Sequence, residues 1–280
     1  MFPLKILKRF LRWLLGFAAV VVAALYISLI VLALKSDSII FQPQPSSYTD
    51  ASLSATLARL SPPGQVIHLE SGDQTITASY LPNPKARFTL LFSHGNAEDI
   101  GEVMYFLQSF YDAGFSVFAY DYRGYGTSSG NPSESGVYDD VNAAYDYLTT
   151  QLHVPPSQII AMGRSLGCGA AIHLAARHPV AGLIVEAPFL SAFRVLTRVQ
   201  VLPWDKFNNA RDIRRVHVPV LVVHGTSDQV VPFWHGKRLF ELANEPKTFM
   251  PVEGAGHNDV VLLAGKKYVQ AMQTFAAVLK

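Results

Sequence analysis

Cysteine is almost missing from the 280-residue chain: Cys168 stands alone. A single thiol excludes an internal disulfide and a cysteine-based metal cluster. The nine histidines do not fall in the H-x-x-x-H spacing, with a carboxylate nearby, that a helix-borne metal hydrolase needs. Charge is also scarce, at 16% of residues, and acidic residues are absent from the first 36, where Lys5, Lys8, Arg9, Arg12 and Lys35 all lie. Setting those five aside leaves 18 basic against 21 acidic residues, so the formal charge of the remainder is negative. That balance excludes a nucleic-acid footprint. Internal repeats are absent too, which removes solenoid and propeller architectures.

Long apolar runs, by contrast, are present once. Trp13 to Leu34 is uncharged without interruption and flanked by basic residues, and about 20 such residues cross a bilayer as a helix. A cleaved signal peptide is the alternative. Its apolar core is usually shorter and ends in a small-residue cleavage site, which "IVLALKSD" does not offer. The reading adopted is therefore a basic cytoplasmic amino terminus over residues 1–12 and a transmembrane signal anchor over 13–34. Four basic residues precede the span and one follows it. The amino terminus then stays cytoplasmic and the rest of the chain is extracytoplasmic, in periplasm or lumen.

Residues 35–63, rich in Pro, Ser and Gln, read as a linker. From residue 64 to 280 short apolar runs alternate with amphipathic stretches. "QVIHLE" and "QTITASYL" form an opening antiparallel pair around "SGD". "FTLLFS", "FSVFAY", "QIIAMG", "AGLIVEA", "PVLVVHG" and "KTFMPV" are near-continuous apolar runs of the kind buried on both faces of a sheet. Helical patterns separate most of them, and one long helix closes the chain. The fold class expected is α/β, a mostly parallel sheet with helices on both faces.

In such sheets the loops at the carboxyl ends of strands collect the reactive groups. Gly163-Arg164-Ser165-Leu166-Gly167 matches G-x-S-x-G between a strand and a helix, the setting of a nucleophile elbow. A serine hydroxyl needs a base, and the base an orienting acid, in the chain order Ser, acid, His for this architecture. Asp228, in "HGTSDQVVP", and His257, in "EGAGHND", each follow a strand and meet that order. His173, His178, His224 and His235 do not follow the acid in a separate loop. Asp205 is the substitute acid should Asp228 prove dispensable. Backbone N–H groups of Leu166 and Asn96 are the expected oxyanion hole, with His94 bracing the latter's loop. Arg123 is expected to pair with Asp121 or a nearby carboxylate, and Cys168 to be a small buried residue.

The stretches "LLFSHGNAED", "DYRGYGTSSGNPSESGVYDDVNAAYDYL", "GRSLG", "LPWDKFNNARDI", "VHGTSDQVVPFWHGKRLF" and "GAGHND" together resemble the α/β-hydrolase superfamily. More narrowly they resemble the Bem46-type group of membrane-anchored serine hydrolases, which includes the ABHD13 and ABHD17 proteins. The resemblance implies an α/β-hydrolase domain over 64–280 with Ser165 as nucleophile, Asp228 as acid, His257 as base and the amides of Asn96 and Leu166 as oxyanion hole. It implies no cofactor and no metal. Two departures stand out. Glu98 and Asp99 replace a frequent Gly-Asn pair and would disfavour anionic substrates. A cysteine-rich, lipid-modified amino terminus is replaced by a membrane span, which argues against protein depalmitoylation on the cytoplasmic face.

The function expected is hydrolysis of carboxylic esters, acyl lipids or other apolar esters, with the Phe-, Leu-, Val- and Trp-rich segment between Glu186 and Asp205 walling the acyl pocket. A peptidase or thioesterase with the same triad, and a catalytically silent binding protein of the same fold, are the alternatives. The partners expected are a small-molecule or lipid ester and the membrane, without nucleic acid.

Overall fold

A computed structural model describes residues 4–199 and 204–279. The chain divides into two units, Met1–Ile40 and Phe41–Lys280. The first holds the helix α1 (Leu4–Leu34) and the single turn α2 (Asp37–Ile40). Within α1, Lys8–Leu32 has a mean hydropathy of 2.7 and none of its most apolar window is buried. At 1.5 Å per residue the 25 residues of that stretch extend about 37 Å, enough for a hydrocarbon core of about 30 Å. By length and composition the helix is apolar enough to cross a membrane.

The second unit is built on one eight-stranded sheet: β1 (Gln65–Ser71), β2 (Gln74–Leu81), β3 (Thr89–Ser93), β4 (Ser116–Tyr120), β5 (Ile159–Arg164), β6 (Gly182–Glu186), β7 (Val220–Gly225) and β8 (Lys247–Val252). Their order is β1-β2-β4-β3-β5-β6-β7-β8. β1 and β2 pair antiparallel, β2 joins β4 antiparallel, and every later pairing is parallel. Every residue of β3 to β7 is buried, the consequence of helices covering both faces.

The helices are α3 (Asp50–Leu57), α4 (Ile100–Asp112), α5 (Glu134–Thr150), α6 (Gly167–Ala175), α7 (Ala192–Thr197), α8 (Asn209–Asp212), α9 (Trp234–Leu242), α10 (Val260–Ala264) and α11 (Lys266–Ala277). Side chains alternate between faces along a strand. Leu90, Phe92, Val117, Ala119, Ile160 and Met162 share one core with Val103, Phe106 and Phe110 of α4 and with Tyr268, Met272 and Phe275 of α11. The alternate set, including Leu91, Phe118, Ala161 and Leu183, is equally buried, beneath α5 and α6.

Two expectations differ from this architecture. The expected linker ends early: Phe41, Tyr48, Leu53 and Leu57 are buried, and Leu53 and Leu57 join the core beside α4. The compact unit therefore includes residues 41–63. Thr49 and Ser52 form a capping box that starts α3, a local signal the linker reading passed over. The closing helix is two helices, because Gly265 adopts φ 51°, a left-handed conformation that ends α10 before α11 begins. Of the expected pocket wall, residues 200–203 lie outside the described residues, as do 1–3 and 280.

Candidate active site

Ser165 stands between β5 and α6 with φ 51°, a conformation that is strained for any residue with a Cβ and costs about 1–3 kcal/mol. The turn exists because its neighbours are small. A Cβ on Gly163 would lie 2.3 Å from the Gly167 carbonyl oxygen, and one on Gly167 would lie 2.0 Å from the Ser93 carbonyl oxygen. Only hydrogen at both positions lets α6 begin directly against the ends of β3 and β5. The Ser165 N–H donates to the Glu186 carbonyl at 2.9 Å and the Cys168 N–H donates to the Ser165 carbonyl at 3.0 Å. The serine is thus fixed on both sides, and the residue is half-buried.

The loops after β7 and β8 bring Asp228 and His257 to the same edge. His257 Nε2 lies 2.9 Å from Ser165 Oγ, and His257 Nδ1 lies 2.7 Å from Asp228 Oδ2. An ionised carboxylate only accepts, so Nδ1 carries the proton and Nε2 is left to accept from the serine. Asp228 is buried, and burial alone would raise its pKa. Contacts with His224 and His257 and an amide bond from Val231 override that and hold it well below the usual carboxylate range. Its Oδ1 accepts the N–H groups of Val230 and Val231 at 2.9 and 2.8 Å, which leaves Oδ2 for the histidine.

The expected oxyanion donors occupy the neighbouring loop and the helix start. Leu166 is the N-cap of α6, so its amide lies outside the helical ladder. Asn96 precedes Ala97, whose φ of 57° turns the loop sharply. Asn96 Oδ1 accepts from Tyr125 Oη at 2.6 Å and from the Gln42 N–H at 3.0 Å. His94 is buried in this loop's base. Its Nε2 stands 3.3 Å from Asp121 Oδ1, and its ring packs on Tyr122 and Tyr125.

The remaining candidates go elsewhere. Asp205 accepts from Ser191 Oγ at 2.5 Å and from the N–H groups of Phe193 and Lys206 at 2.9 and 2.8 Å, so it caps the start of α7. His173 stacks on Tyr138, His178 packs on Tyr145, and His235 is fully buried and accepts from the Leu190 N–H. Cys168 is buried with its thiol pushed up by burial. Arg123 pairs with Asp140 at 2.8 Å and with Asp139 at 3.7 Å, not with Asp121, whose Oδ2 accepts from Tyr48 Oη.

Two groups escaped the sequence reading. His224, set aside above because it does not follow the acid, is buried and places Nε2 3.3 Å from Asp228 Oδ2 and 2.8 Å from the Val231 carbonyl, steadying the loop that carries Asp228. Arg164, the residue between Gly163 and Ser165, is 4% exposed. It pairs with Glu98 and with Glu186, and donates to Asn258 Oδ1 at 2.9 Å. One guanidinium thus joins the loop between β3 and α4, the end of β6 and the residue after His257. Glu98 also accepts the Gly95 N–H at 2.8 Å, and Asp99 caps α4. Both charges are engaged within the protein, which weakens the expected repulsion of anionic substrates. An arginine inside a G-x-S-x-G motif with a carboxylate in the preceding loop was the available signal.

Comparison with known proteins bears on the family and the fold. A family model described as serine aminopeptidase, S33, matches residues 84–209. The α/β-hydrolase domain-containing protein aho-3 of Caenorhabditis elegans is 41% identical over 200 residues, which cover 69% of this chain and 59% of that protein. The human α/β-hydrolase domain-containing protein 17B is 40% identical over 202 residues, covering 70% of this chain and 68% of that one. Among solved structures, the Pyrococcus furiosus esterase Pf2001 aligns with a TM-score of 0.69 at 14% identity over 85% of this chain and 98% of that chain. An α-β hydrolase from Vibrio vulnificus gives 0.62 at 24% identity, over 75% of this chain and 80% of that one.

The packing of the serine turn yields a direct test. Gly167→Ala places a methyl group against the Ser93 carbonyl and overpacks the turn by about 3 kcal/mol. The apparent melting midpoint of the detergent-solubilised protein is expected to fall by roughly 6–12 °C. An unchanged midpoint would mean that the close approach does not shape this turn.

Proposed function

Because the chain belongs to the α/β-hydrolase domain-containing 17 family, we propose that it is a membrane-anchored serine hydrolase that cleaves carboxylic esters through an acyl-enzyme. The observation that carries this reading is the line from Ser165 Oγ through His257 to Asp228, with steps of 2.9 and 2.7 Å. His257 Nε2 takes the hydroxyl proton as Ser165 Oγ attacks the ester carbonyl. Asp228 holds the ring in its Nδ1–H tautomer and stabilises the imidazolium. The oxygen that becomes negative is held by the Leu166 and Asn96 amides. Collapse of the tetrahedral species breaks the bond to the alcohol, which leaves with the proton from Nε2. Water then gives a proton to Nε2 and attacks the acyl carbon, and the carboxylic acid departs as Ser165 regains its hydrogen. No cofactor enters these steps.

Apolar acyl groups suit the surroundings. Leu196, Val199 and Trp204 leave large apolar side chains exposed in the segment between β6 and α8, and α1 would hold the enzyme at a lipid surface. Full-length protein is expected to turn over p-nitrophenyl esters with medium and long acyl chains faster than the acetate. Ser165→Ala should lose essentially all turnover, and Asp228→Asn about 10⁴-fold in kcat. Preference for acetate would remove the acyl-lipid reading. Turnover of aminoacyl amides in place of esters would favour a peptidase, in line with the description of the matching family model. Turnover of neither by a folded protein would leave a silent binding protein.

The basic residues before the span support a cytoplasmic amino terminus and an extracytoplasmic catalytic domain. Alkaline phosphatase fused after Lys280 is expected to be active in a bacterial host. Inactivity there, with a fluorescent cytoplasmic reporter at the same site, would reverse the orientation.

A further inference from the structure

We propose that the strap Phe41–Tyr48 is a positioning element for the oxyanion loop, clamping the Asn96 peptide in the orientation that stabilises the developing charge. The inference rests on the hydrolase reading above.

A segment that only tethers a domain needs length and solubility. This one instead directs its donors at the loop between β3 and α4. The Gln42 N–H reaches Asn96 Oδ1 at 3.0 Å and Tyr125 Oη at 3.2 Å, closing a triangle with the Tyr125 Oη–Asn96 bond of 2.6 Å. At the far end of the loop, the Ser47 N–H donates to Asp99 Oδ2 at 2.7 Å, and Ser47 Oγ donates to Asp99 Oδ1. Tyr48 Oη donates to Asp121 Oδ2 at 2.5 Å. Asp121 Oδ1 in turn accepts the Ile100 N–H at 2.9 Å and faces His94.

The fit is close as well as polar. A Cβ on Gly101 would crowd Ser47 Oγ and lie 3.1–3.2 Å from the Tyr48 side chain, so the strap seats closely on the first turn of α4. Phe41 is buried against Phe207. Pro43 and Pro45 restrict the residues before them to extended conformations and stiffen the piece that carries the Gln42 amide.

The loop needs such support. Ala97 holds a left-handed conformation that tends to relax unless its surroundings over-determine it. Arg164 grips the loop from the side of the serine through Glu98, and the strap grips it at Asn96 and Asp99. With the Asn96 side chain pinned between Gln42 and Tyr125, rotation of its peptide plane is opposed on both sides. Catalysis through fixed dipoles depends on such prior orientation, and a displacement of about 1 Å can lower a rate by about 100-fold.

The test uses the full-length protein in nanodiscs. Gln42→Pro deletes the donated N–H, whereas Gln42→Ala keeps it. Gln42→Pro is expected to lower kcat on a p-nitrophenyl ester about 10–100-fold with KM within about twofold, while Gln42→Ala stays near wild type. In an Asn96→Ala background, which removes the shared acceptor but keeps the backbone N–H, Gln42→Pro should add less than about a twofold loss. Hydrogen exchange at residues 94–99 should quicken in Gln42→Pro and remain unchanged in α6. Should Gln42→Pro fail to fold, Ser47→Ala removes the strap's side-chain donor to Asp99 and is read by the same loss in kcat and the same faster exchange at 94–99. Equal losses in both Asn96 backgrounds, or unchanged exchange at 94–99, would overturn the proposal. Faster exchange at 94–99 in a protein whose wild type turns over no ester would retain the clamp and remove the hydrolase reading.

Discussion

The near contact between α6 and the ends of β3 and β5 is the constraint on which the site depends. With hydrogen in place of a side chain at Gly163 and Gly167, the helix begins where the strand stops, and Ser165 is forced into a left-handed turn. That turn lifts the hydroxyl out of the sheet edge and leaves the Leu166 amide at the helix terminus. The parallel order β3-β5-β6-β7-β8 then aligns the following loops along one edge, so residues 92 apart in sequence meet at 2.9 Å. The backbone strain is offset by the buried strands on either side, which over-determine the turn.

Around this turn the protein buries more charge than a simple core would contain. Asp228, Asp121, Glu186 and Arg164 are each under 5% exposed. Buried charges are tolerated when paired and fully hydrogen-bonded, and here each has a named partner. Glu186 accepts from Tyr268 Oη at 2.5 Å while pairing with Arg164, and Arg164 continues to Glu98 and Asn258. These contacts connect three loops that no hydrogen-bond ladder joins. Their consequence is geometric: the serine turn, the loop after β3 and the loop after β8 share one rigid support.

How much of this was legible in the sequence depended on whether the cause was local. β5, β6 and β7 were legible from uninterrupted apolar runs, since burial on both faces leaves no polar register to misread. Ser165, Asp228 and His257 stood out because each lies in a short motif just beyond such a run. The strap was hidden because its hydrogen-bond partners on the loops lie 52 to 83 residues away and its Pro-Ser-Gln composition is that of a tether. For Arg123 the sequence offers Asp121 or another nearby carboxylate without choosing between them, and only the placement of α5 across from it selects Asp140. Arg164 gave no periodic signal at all, as its role is set by Glu98, 66 residues away. Gly265 shows the same limit on a smaller scale: a helical pattern continued through it, and only its backbone angle divides α10 from α11.

Activation of Ser165 as a nucleophile is what the proposed hydrolysis requires first. Its most direct measurement is treatment of membranes containing the full-length chain with a fluorophosphonate, followed by peptide mass spectrometry to locate the adduct. The expected result is a single adduct on Ser165, formed within minutes and abolished by Asp228→Ala. An adduct on another serine, or none on a folded protein, would contradict the account.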